Sequence, residues 1–227
     1  KKLIIFFNSR LKLKTQPLSP ADLYFEEVAK DSYEIFKIHF KESYVFSDED
    51  SIRNFAINEA IKMFDKQNLF LEFGVFKGES INLFAKNLKN IGAKIIGFDS
   101  FKGLKEEWIT EEYNPKGTFN LMGDKPKVQN NVNLIDGWVE ETLINFLSTN
   151  KSKIAFVHLD LDTYASTLFV LNSLKKNFQK GTIILFDEFY GFPNWEKHEF
   201  KALKESLNSD KFKYIAFGTR QACIKIL

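Results

Sequence analysis

The chain has 227 residues, 44% of them hydrophobic and 27% charged, with 32 basic and 30 acidic side chains and a formal net charge of +2. That length is most simply one domain with a full core, and the composition is that of an ordinary soluble protein. No basic stripe argues for nucleic acid and no acidic tail is present. The 25 Phe residues, set among many Lys and Ile, read as core filling and a compositional bias rather than as a site. A single cysteine, Cys223, rules out an internal disulfide and fits a reducing, cytoplasmic setting. The apolar run LIIFF at residues 3–7 is too short to cross a membrane and lacks a small-residue cleavage site, so neither a signal peptide nor an anchor is expected.

Residues 1–20 form a basic, apolar lead-in closed by Pro17 and Pro20. Ser19-Pro20 starts a helix, Ser as N-cap and Pro in the first turn. Leu23, Phe25, Val28, Ile35, Phe36, Ile38 and Phe40 give it a broad apolar stripe, and a second helix is expected from Asp50 to Lys66. Residues 1–68 are thus read as an extension and helical cap. Two uses of the cap stay open: packing on the core, or roofing the substrate site and making a homodimer contact.

From residue 69 the periodicity changes. Apolar runs at 69–73, 94–99, 131–135, 153–160 and 182–187 alternate with helical patterns near 79–90, 139–148, 165–177 and 195–207. This alternation implies a mainly parallel sheet with helices on both faces. Tyr214–Phe217 and Ala222–Ile226 are too close together for a helix between them and are expected to pair antiparallel. The expected fold is α/β: a Rossmann-like, mainly parallel seven-stranded sheet with an antiparallel last strand and an N-terminal helical cap, residues 69–227 forming one compact unit. Between Lys102 and Gln129 no element is visible, and Gly103–Lys127 is read as a flexible lid.

Ligands bind beyond the C-terminal ends of strands in open α/β sheets. Every expected strand end here carries a carboxylate or glycine: Glu72, Phe73, Gly74, Gly78 and Ser80; Asp99 and Ser100; Asp136, Gly137 and Trp138; Asp160 and Asp162; Asp187 and Glu188. One such acid is often only a helix cap. Five in register on one rim point to a site. Gly74 and Gly78 leave room for a ligand at a helix start. Asp99 can accept both hydroxyls of a ribose. Asp136 and Trp138 can bracket an adenine, and Glu72 can orient an amino-acid moiety. Asp162 is read as a cap for the helix near Tyr164. His198, after the fifth strand, is a general-base candidate. His158, inside the fourth strand, is read as buried and hydrogen-bonded.

The order Glu-x-Gly-x-x-x-Gly resembles the first motif of class I S-adenosylmethionine (SAM) methyltransferases. The runs EFGVFKGES, IIGFDSFKGL, LIDGWVEETL, HLDLDTYAST and FDEFYGFPNW, spread over residues 69–205, make the chain similar to the macrocin O-methyltransferase family. That resemblance implies methyl transfer from SAM to a sugar hydroxyl of a small-molecule acceptor, with Mg2+ held by Asp160, Asp187 and Glu188. The family usually has Asp-Asp where this chain has Asp187-Glu188. Asp160 or His198 would serve as base. Two rivals are an NAD-dependent oxidoreductase or sugar-modifying enzyme, which expects Gly where Phe76 stands, and a non-catalytic protein keeping the fold as a scaffold.

Overall fold

The computed structural model describes residues 17–227, so the LIIFF run and most of the lead-in lie outside the described residues. Helix α1 (Pro20–Lys41) starts as expected: the Ser19 hydroxyl accepts from the Asp22 N–H at 3.1 Å while the Asp22 carboxylate accepts from the Ser19 N–H at 3.0 Å. Helix α2 (Glu49–Ile61) is capped by Asp48, which accepts from the Ser51 N–H at 2.8 Å. It ends at Ile61, before the expected Lys66. Asp65 and Asn68 build a turn there, the Gln67 N–H bonding to the Asp65 side chain at 2.8 Å.

The remaining elements are strands β1 (Tyr44–Val45), β2 (Leu69–Phe73), β3 (Ile95–Asp99), β4 (Trp108–Ile109), β5 (Tyr113–Asn114), β6 (Val132–Asp136), β7 (Ile154–Leu159), β8 (Ile183–Phe186), β9 (Phe212–Phe217) and β10 (Ala222–Ile226). Between them lie helices α3 (Glu79–Leu88), α4 (Val139–Thr149), α5 (Tyr164–Leu174) and α6 (Glu199–Ser206). The main sheet runs β1-β9-β10-β8-β7-β2-β3-β6. Every pairing in it is parallel except those of β10, which is antiparallel to both β8 and β9. The eighth strand, β1, is a two-residue edge too short to leave a periodic signal. The fold is the expected Rossmann-like one.

Period-2 alternation sorts the strand side chains onto two layers. Leu71, Phe73, Val157, Leu159, Ile184 and Phe186 face α4, α5 and α6. Phe70, Phe156, Ile183 and Leu185 face α2 and α3. Glu72 and His158, paired across β2 and β7, fall by the same alternation on the α2/α3 side. The segment after β3 is not featureless: β4 and β5 pair as a short hairpin, Lys102 bridges Asn120, and Leu104 and Trp108 are buried.

Helix α1 buries only Ser32 and Phe36. The Phe36 ring sits 5.5–5.8 Å from those of Phe189, Trp195, Phe200 and Tyr214, among others. Phe36→Ala should therefore cost about 3–5 kcal/mol in urea unfolding and expose α1 to limited proteolysis. Cys223 is fully buried in β10, and burial pushes its thiol far above the usual range. Because the thiolate is the reactive form, native protein should resist a thiol reagent such as DTNB until denaturant is added.

Candidate active site

The site begins where two strand tips touch. Gly74 follows β2 with φ +86°, and a Cβ there would lie 1.7 Å from the backbone carbonyl oxygen of Asp160, just past β7. The Asp160 N–H donates to the Phe73 carbonyl at 2.8 Å, so the tips are bonded as well as adjacent. Only glycine fits this approach. Asp99, at the end of β3, then holds the loop. Its Oδ2 accepts from the N–H groups of Val75 and Phe76, both at 2.8 Å, and its Oδ1 from that of Phe101 at 2.7 Å. Phe76 is kept at φ +45°, a region costly for a side-chain-bearing residue. Gly78, at φ +82°, caps α3.

These residues border a cleft of about 230 Å³. Of the residues expected from sequence, Gly74, Asp99, Ser100, Gly137, Trp138, Asp160 and Glu188 line it. Phe73 and Ser80 are buried beside it, and Gly78 forms the turn into α3. Asp136 does not line the cleft; its carboxylate pairs with Lys125 at 3.2 Å. Asp99 needs a second correction. Three of the roughly four lone-pair positions on a carboxylate are already taken by backbone donors, which leaves room for one ribose hydroxyl, not two. Asp162 caps nothing: the N-cap of α5 is Thr163, without a side-chain bond, and Asp162 lines the cleft at φ +60°.

The segment expected to cover the site, Gly103–Lys127, does contribute to the cleft wall, through residues the sequence did not single out: Leu104, Lys105, Trp108 and Phe119, joined by Phe76 of the glycine loop. The Lys105 ammonium lies 4.8 Å over the Trp138 ring and pairs with Glu140. His198 lies outside the cleft. Its ring stacks on Phe192 at 6.3 Å, its Nδ1 is buried without a partner, and burial lowers its pKa.

Beneath the rim runs a chain of buried polar groups. The Ser80 hydroxyl donates to Glu72 Oε1 at 2.5 Å, and His158 Nδ1 lies 3.6 Å from the same oxygen. His158 Nε2 lies 3.3 Å from Asp187 Oδ1, which also accepts from Arg53 Nη2 at 3.0 Å. Burial alone would lower the His158 pKa, but its bond to Asp187 and the nearby Glu72 carboxylate prevail and lift it to about 9. Burial would raise that of Asp187, yet His158 and Arg53 hold it below the usual carboxylate range. For Asp160, burial and the neighbouring Asp187 and Asp162 charges outweigh the opposing His158 and push its pKa well up. Burial and Asp187 also lift Glu188 to about 8, against the opposing Arg220. The ligand atoms of His158, Asp160 and Asp187 lie within 4.8 Å of one another. Glu188 is not in that group; its Oε2 stands 3.5 Å from Arg220 Nη1.

The sequence pattern of a methyltransferase-domain family matches residues 71–189, just over half of the chain. The chain belongs to that family. It is a SAM-dependent methyltransferase. Solved structures of similar shape include CalS11, a calicheamicin methyltransferase, with TM-score 0.63 and 19% identity over 92% of this chain and 94% of that one. NovP, an O-methyltransferase, gives 0.57 at 14% identity, covering 91% and 99%. An O-methyltransferase from Bacillus cereus in complex with SAH, the demethylated cofactor, gives 0.52 at 12%, covering 98% and 97%. At such identities these likenesses establish the fold. No curated protein matches significantly by sequence.

In this methyltransferase the loop geometry depends on Asp99. An amide there would present N–H to a backbone donor, and bonds of a charged acceptor are worth about 1.5–3 kcal/mol each. Asp99→Asn should weaken SAH binding at least about tenfold in calorimetry and lower the melting temperature.

Proposed function

We propose that the protein methylates a hydroxyl of a sugar or glycosylated small molecule in a reducing, cytoplasmic setting, with a divalent cation such as Mg2+ at Asp160 and Asp187. The observation that carries this reading is a crowding of carboxyl groups at and beneath the cleft. Six carboxylates, those of Glu72, Asp160, Asp162, Asp187, Glu188 and Glu199, gather around at most three cations, Arg53, His158 and Arg220. Buried like charges are costly unless a cation joins them. Burial and crowding raise the pKa values of Asp160 and Glu188, and a divalent ion together with the positive sulfonium of the methyl donor would favour their charged forms. The oxygens of Asp160 and Asp187 fit a hard cation, whereas an imidazole suits softer metals. Glu188, drawn to Arg220, is therefore left out of our ligand set. CalS11 is described as a TDP-rhamnose 3′-O-methyltransferase, and this relative lends weight to a sugar acceptor. The macrocin-type motifs lend weight in the same direction.

Bound SAM supplies an electrophilic methyl group, and a bound divalent ion acidifies a hydroxyl that it coordinates. This chain's residues do the rest by placement. Gly74 lets the β2 tip close on the Asp160 backbone, which sets the glycine loop beside Asp160. Trp138 offers its ring to the adenine in the cleft that Lys105 also lines, and Asp99 offers its remaining lone pair to one ribose hydroxyl. Leu104 and Trp108 exclude water from the acceptor side. Asp160, in the cleft, receives the proton of the acceptor hydroxyl; His198 lies too far aside to do so. Alignment of hydroxyl and methyl group is the main contribution to rate.

Calorimetry with SAM, SAH and NAD tests the cofactor; NAD binding without SAM binding would overturn the reading. Radiolabelled methyl transfer from SAM to a panel of free sugars, aryl glycosides and nucleoside-diphosphate sugars tests the acceptor class. Asp160→Asn should reduce turnover at least about a hundredfold while SAH affinity stays within about threefold. EDTA should abolish turnover, and full activity in EDTA removes the metal from the proposal.

A further inference from the structure

Arg53 stands apart from the cofactor motifs. It lies in α2, in the N-terminal cap, outside the stretch that matches the methyltransferase family. Yet its guanidinium reaches 134 residues along the chain to Asp187, Nη2 to Oδ1 at 3.0 Å, and is nearly buried, with 12% of the side chain exposed. Nη1 is shared with Glu49 at 3.0 Å, and Nε is buried without a partner. The Asp160 charge also acts on it. The same Asp187 oxygen faces His158, so Oδ1 is committed to two cationic partners and only Oδ2 remains for anything placed between Asp187 and Asp160.

We propose that Arg53 is a built-in cation of the divalent site, neutralising Asp187 when no metal is bound and weakening the hold on a metal when one is. The inference rests on the metal assigned above to Asp160 and Asp187. A buried carboxylate without a counter-charge is strongly unfavourable, and Arg53 shares with His158 the removal of that penalty from the metal-free protein. The same charge repels a divalent ion a few ångströms away, where little water screens the interaction. The site thus holds its shape empty and binds its ion loosely. An acceptor that adds hydroxyl ligands of its own would tighten the hold, which ties ion retention to the presence of substrate.

The test is calorimetric titration of MnCl2, as a Mg2+ surrogate, into the SAH-saturated protein, and needs no acceptor. Arg53→Met removes the charge and keeps an apolar stem; it should tighten Mn2+ binding at least about tenfold. Arg53→Lys should stay within about threefold of the unmodified protein, because the charge is retained. Asp187→Asn should abolish binding with or without Arg53, which places the ion. Thermal melting gives a second readout: Arg53→Met should melt lower than the parent without Mn2+ and recover when Mn2+ is added. If Arg53→Met fails to fold, Arg53→Gln makes the same neutral comparison. Unchanged or weaker Mn2+ binding by a folded, SAH-binding neutral variant overturns the role of Arg53 and leaves the metal reading standing. Absence of Mn2+ binding in every variant, with SAH still held, overturns both.

Discussion

The contact between Gly74 and the Asp160 backbone is the constraint from which the site follows. Two parallel strand tips meet with no side chain between them. That approach brings the glycine loop of β2 and the acid following β7 to one point. Asp99 then converts a flexible turn into a fixed one by accepting three backbone N–H groups. The cost is visible in Phe76, which is held at a positive φ. Strain of this kind persists only where surrounding bonds over-determine the backbone, and here they do.

Charge is the second organising force. The sheet places Glu72 and His158 side by side on its α2/α3 face, and Asp187 caps the same column from β8. Each acid has a different fate. Asp187 is held ionised by two cations, Asp160 is left in a field of other acids, and Glu188 is turned toward Arg220. Chemically identical groups are thus separated by their neighbours into distinct roles.

The fold was largely legible because strong patterns carry it. LFLEF and ACIKI are runs whose length and apolar content admit few alternatives, and both strands match their sequence bounds. The strand-end acids were found because position after a strand is itself a signal. What stayed hidden lacked any local pattern. Arg53 reads as one basic residue on an amphipathic helix; nothing nearby announces a partner 134 residues away. The lid hairpin consists of two-residue strands, below the length at which alternation can be seen. Asp99 and Asp136 were placed correctly at strand ends, but their commitments to backbone N–H groups and to Lys125 depend on loops whose paths the sequence does not encode locally.

Strand β10 has a consequence for how the molecule comes into being. It follows β9 in the chain, residues 222–226, yet it lies between β8 and β9, antiparallel to both. During synthesis from the N-terminus, β8 therefore presents an open, wholly buried-type edge until residues 222–226 emerge. Such an edge invites pairing with other chains. The cofactor half of the sheet, β6-β3-β2-β7, needs none of this and can assemble earlier. The half-made chain is therefore open to aggregation along β8 for as long as β10 is missing.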